Sequence, residues 1–149
     1  MRAWRPDAVR VQAGLDEVAD DLPQALADRP AREQLRLRER LRPYVGTLMA
    51  EASRTGLPPM RPVFVDFPDD QRAWDCDDQY MFGPDLLVCP VTSHGARSRP
   101  VWLPAGTRWR DAWTGELHDG GTELDAAAPL ERIPVFAPEG SALVPLLQL

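Results

Sequence analysis

From Tyr80 to the C-terminus, turn signals cut the chain into short pieces: SHGARS, PAGT, TGE, DGG and PEG follow one another at close intervals. Between them lie stretches with strand character, at residues 86–91, 100–103, 108–113, 122–126, 133–137 and 142–147. A single short strand buries too little surface to stand alone, so such a series predicts an antiparallel sandwich or barrel. No helical period is visible there.

Ahead of residue 78 the period differs. Val11, Leu15, Val18, Leu22 and Leu26 recur every three or four residues, which predicts a helix over 6–27 that Pro23 kinks or ends. Leu37, Leu41, Tyr44, Leu48 and Ala52 repeat the pattern over 31–54. Asp28 suits the N-cap of this second helix, Pro30 its first turn and Gly56 a left-handed stop, while Pro43 should bend it. After the breaker GLPP, the run MRPVFVDF (60–67) is nearly all apolar, as a strand buried on both faces of a parallel sheet reads. In PDDQRAWD, Asp69 or Asp70 can cap a short helix. The expected class is α+β, with an αβ part over 1–78 and an all-β part over 79–149. No Ser- or Gly-rich linker separates them, which implies firm packing.

With 149 residues and 44% hydrophobic character the chain can build a core. Its formal charge of -6 argues against nucleic acid or an anionic membrane as partner, because no broad face would neutralise phosphates. No apolar run approaches the roughly 18 residues of a membrane span, and no secretory signal opens the chain, so a soluble cytoplasmic protein is expected. All 17 basic residues are arginine, and lysine and asparagine are absent. That codon preference points to a GC-rich bacterial genome, in which start codons are easily misassigned, so Met1 is not a secure beginning.

Cys76 and Cys89 sit among apolar or strand-like neighbours and read as reduced thiols. Together with His94 and His118 they lack the paired spacing of a zinc site. Asp75, Asp77 and Asp78 begin like a calcium loop, yet Tyr80 stands where glycine must turn and Leu86 where glutamate must chelate. A solvated loop or helix cap is the better reading. The chain has neither a G-x-S-x-G elbow nor a Gly-rich phosphate loop, and His94 and His118 lie in or beside turns, as surface residues do. Trp102, Trp109 and Trp113 admit two readings, core packing or a platform for sugar rings. Because Trp102 and Trp109 flank PAGT, they are expected to face each other across a hairpin and to be buried. The residues therefore nominate no catalytic, cofactor-binding or metal-binding side chain.

The blocks RERLRPYVGTLMAEASRTGLPPMRPVFVDFPDDQRAWDCDDQYMFGPDLLVCPV, RSRPVWLPAGTRWRDAWTGE and APLERIPVFAPEGSALV, in that order, closely resemble the C-terminal portion of glycoside hydrolase family 31, the α-glucosidase and α-xylosidase family. The resemblance runs over 37–149. It implies that the helix near 36–54 precedes the last strand of a (β/α)8 barrel, that MRPVFVDF is that strand, and that QYMFGPDLLVCPV opens a proximal β-sandwich. It also implies a retaining mechanism on two aspartates carried by earlier barrel strands, whose motifs have no counterpart here. The expected function is that of a C-terminal fragment, inactive alone, of an enzyme that hydrolyses α-linked glucosides or xylosides without a cofactor. The alternative is a stand-alone noncatalytic module that binds sugar or a partner chain. A strand at 60–67 stripped of its barrel neighbours further predicts self-association or a complementing barrel fragment as partner.

Overall fold

The structure is a computed structural model, and it describes residues 29–147. The helix expected over 6–27 and the N-cap at Asp28 lie outside the described residues. Helix α1 spans Arg29–Thr55 and runs on through Pro43. Gly56 ends it in the left-handed region at φ 80, with its N–H donating to the Ala52 carbonyl at 2.9 Å.

Strand β1 (Met60–Pro62) follows, then two short helices, α2 (Val63–Asp66) and α3 (Gln71–Trp74). The expectation of one strand over 60–67 is thus corrected: the ladder stops at Pro62, and the next four residues turn into α2, which sends Val63 into the core. Asp70 caps α3 by accepting from the Arg72 N–H, as its sequence predicts. Strands β2 (Tyr80–Phe82), β3 (Leu86–Val88), β4 (Ser98–Leu103), β5 (Arg108–Asp111), β6 (Leu117–Asp119), β7 (Thr122–Ala127) and β8 (Val135–Pro138) come next. The last stretch, expected as a strand over 142–147, forms a short helix instead, α4 (Val144–Leu147), directly after a turn at Ser141.

The strands make a six-stranded antiparallel sheet in the order β1-β2-β3-β8-β5-β6 and a two-stranded sheet of β4 with β7. Between them lies one core, in which Met81, Leu87, Trp109 and Phe136 of the large sheet meet Val101, Leu103 and Ala126 of the small one. On the other face of the large sheet, Leu86, Val88 and Ala137 pack with Leu143 and Leu147, and with Leu37, Leu41 and Tyr44 of α1. This explains why LLV is apolar at every position. Leu87 serves one core while Leu86 and Val88 serve the other, so alternation has no solvent side to report.

Tyr44 ties α1 to the β2–β3 turn. Its hydroxyl donates to the Phe82 carbonyl at 2.8 Å and accepts from the Asp85 N–H at 3.2 Å. Burial is the main reason its pKa is pushed up from 10.0 to about 12. A group whose pKa is raised on folding keeps its full stabilising share below the ordinary value and loses it as pH climbs through the folded one. Stability should therefore fall between pH 10 and about 12 more steeply in the unsubstituted chain than in Tyr44→Phe. Thermal melts across that range test this, and parallel curves would refute it. Burial also raises the Cys89 thiol, with the same sign of effect, which both proteins share.

Candidate functional site

The connection from β1 to β2 and the outer face of β4 and β7 enclose a polar cleft of about 270 Å³, lined by Arg72, Asp75, Asp77, Gln79, Trp102 and Glu123 among others. Each wall has a local cause. The Asp70 cap turns α3 so that Arg72 projects toward β7, where it pairs with Glu123 at 2.6 Å. Gln79 is buried, and its amide bridges the Trp102 backbone, donating to the carbonyl at 2.6 Å and accepting from the N–H at 3.1 Å. Trp102 donates its Nε1–H to Asp70 at 3.1 Å, and the Arg72 guanidinium lies 4.2 Å from its ring centroid.

Trp102 is thus half-buried, contrary to expectation, and it does not face Trp109 across a hairpin. The turn PAGT carries the chain from the small sheet to the large one, so the two tryptophans lie on different sheets. Trp109 is buried completely, as expected, and donates to the Pro104 carbonyl at 2.9 Å. Arg72 covers a face of Trp102 where a sugar would stack, so the ring works as part of a side-chain clasp. Trp113 donates to the Ile133 carbonyl at 2.7 Å.

The other residues weighed in the sequence do not converge. Cys76 is half-buried and Cys89 buried, both with free thiols, and burial lifts each above its ordinary pKa, away from reactivity. His94 is exposed, while His118 sits on β6 with its ring 6.1 Å from that of Phe136. Asp75 and Asp77 are exposed, but Asp78 is more than a solvated loop residue. It pairs with Arg99 at 2.6 Å. Among the described residues no group of three His, Cys, Asp or Glu side chains comes together to hold a metal.

The sequence reading missed two buried arginines. Arg99 fans out to the carbonyls of Asp78, Pro90 and Pro100 and to the Asp78 carboxylate, closing the long excursion between β3 and β4. Arg61 forms a two-pronged pair with Asp66, both contacts at 2.6 Å, and that hydrogen bonding raises its pKa. For Arg61 a signal was present, since it and Asp66 are charges inside the otherwise apolar run 60–67, where only a satisfied charge is tolerated; Arg99 stands just ahead of the expected strand 100–103 and carried none. The arrangement is architectural. Ion pairs and side-chain amides hold the loops around the core.

The profile of the glycosyl hydrolase family 31 C-terminal domain matches residues 56–143. The chain belongs to glycosyl hydrolase family 31. Among curated family 31 relatives, an alpha-xylosidase of Saccharolobus solfataricus is 43% identical over 76% of this chain and 15% of its own length. Alpha-glucosidase 2 of Bacillus thermoamyloliquefaciens is 37% identical over 78% of the chain and 15% of its own length. A solved family 31 alpha-xylosidase from a soil metagenome, complexed with xylose, is 54% identical with a TM-score of 0.76, over 79% of this chain and 18% of that one. The chain therefore spans about 15% of the length of these curated relatives and matches their C-terminal domain. The match begins at residue 56, so it takes in β1 together with the rest of the large sheet.

Proposed function

We propose that the chain acts as the C-terminal portion of a family 31 glycosidase that hydrolyses O-glycosidic bonds of α-linked glucosides or xylosides in carbohydrate metabolism. In this reading the domain braces the catalytic part, and the two reacting carboxylates come from elsewhere. The observation that carries it is the 43% identity to an alpha-xylosidase over only 15% of that enzyme, within the C-terminal domain of its family. Helix α1 is read as part of the barrel wall. The junction then falls near residue 56 rather than 78, which fits the antiparallel ladder of β1 on β2. The two free thiols suit a reducing, cytoplasmic setting.

A chromogenic α-glucoside and α-xyloside test the reading. The pure chain should turn over neither. Mixed with a family 31 alpha-xylosidase truncated before its matching domain, it should restore activity. Turnover by the chain alone, abolished by substituting one of its own aspartates, would overturn the proposal.

A further inference from the structure

The ribbon of β4 and β7 has two outer edges, and they are finished differently. The Ala128 N–H donates to the Arg97 carbonyl at 2.7 Å, and Ser98 lies opposite Ala127 in register. Inward and outward backbone groups alternate along an antiparallel ladder, so Ser98, Pro100 and Trp102 on β4, and Glu123, Asp125 and Ala127 on β7, turn their backbone groups away from the ribbon. Side chains close the β4 edge. Gln79 takes both the N–H and the C=O of Trp102, as a neighbouring strand would. Pro100 has no N–H to offer, and its carbonyl accepts from Arg99 Nε at 2.9 Å. On β7 the three outward residues are exposed, which leaves a row of donors and acceptors open. Among the described residues this edge is also long: β7 has six residues, whereas β1 and β6, which end the large sheet, have three each, and β1 stops at Pro62. Such an edge is a template for one more strand.

We infer that the outer edge of β7 takes an extended partner segment that carries basic side chains at alternate positions. Charge chooses this occupant. Glu123 and Asp125 project from the same face of the strand, and Asp125 has no ion-pair or hydrogen-bond partner among the described residues. Its neighbour across the ladder is Pro100, which cannot neutralise it. Glu123 is met by Arg72 from the β4 side, where Arg72 lies over Trp102, so its other side faces the open edge. A strand laid along β7 sets its own side chains opposite these two carboxylates, and arginine or lysine two residues apart pairs with both. A second copy of the chain is the wrong occupant. Two β7 strands paired antiparallel about Asp125 would set that carboxylate against itself, and like charges directly opposite destabilise a pair.

The probe is a capped, fluorescein-labelled heptapeptide alternating arginine with valine, titrated into the full chain and followed by fluorescence anisotropy. It should bind saturably, and amide hydrogen exchange at Glu123, Asp125 and Ala127 should slow in its presence. Asp125→Arg, a change at an exposed side chain, should weaken binding roughly tenfold or more. Ala127→Pro removes an outward donor and no ladder bond, so it should weaken binding while leaving the far-UV spectrum unchanged. The same peptide N-methylated at its arginines keeps its charge but loses the donors that would face β7, and it should not bind. Equal binding of the methylated peptide would reduce the attraction to charge and overturn the inference. So would failure of the parent peptide to bind, or binding that neither variant weakens. A dimer of the chain alone that Ala127→Pro dissolves would give the edge to a second copy and overturn it as well.

Discussion

Trp109→Ala loses about 3–5 kcal/mol of unfolding free energy, as large-to-small substitutions of buried aromatics do. The ring is fully buried between the sheets, 5.5 Å from that of Phe67, and its indole N–H satisfies the Pro104 carbonyl. Truncation leaves both a cavity and an unpaired carbonyl, and neither has solvent to relieve it. Urea titration measures the loss. Trp109→Phe should recover most of the packing but not the hydrogen bond, so its midpoint should fall between the two. An alanine variant as stable as the unsubstituted chain would mean that the two sheets do not share this core.

Gly83→Ala should be nearly as costly, for a different reason. Gly83 has a φ of 61, where any residue with a Cβ is strained by roughly 1–2 kcal/mol. The added methyl would also run into the Tyr44 hydroxyl and the Leu48 methyls, and relieving such overpacking costs about 1–3 kcal/mol. The two effects sum to about 2–5 kcal/mol. Gly46, in the middle of α1 with nothing within 4 Å of where a Cβ would stand, is the control. Gly46→Ala should gain about 1 kcal/mol from helix propensity. A double variant carrying Tyr44→Phe and Gly83→Ala should lose less than the sum of its single losses, because removing the hydroxyl makes room for the methyl. Strict additivity would show that the turn and the helix are not in contact.

Much of this was legible because periodicity reports burial. The leucines of α1 and the turn-punctuated strands gave the right classes, with β4, β5, β7 and β8 close to their expected places. Two failures share one cause. The runs at 60–67 and 142–147 are apolar throughout, and a continuous apolar run does not distinguish a strand from a short buried helix. Tertiary contacts decide there: Val63 and Leu147 are both buried, each from a helical turn. β2 and β6, of three residues each, were not among the expected strands. The Trp102 and Trp109 pairing failed because the turn between them switches sheets, a property of topology that no local spacing carries. The family resemblance was legible from block order, while the Arg99 and Asp78 pair joins residues 21 apart that no motif connects.

The position of β8 sets when the molecule can fold. It lies between β3 and β5, pairing Leu87 with Phe136 and Asp111 with the same residue. The β1-β2-β3 meander and the β5-β6 hairpin therefore remain two separate half-sheets until β8 has been made. At ribosomal rates of about 5–20 residues per second, β3 waits several seconds for its neighbour with an apolar edge open. During synthesis that open edge is exposed to mispairing with another nascent chain.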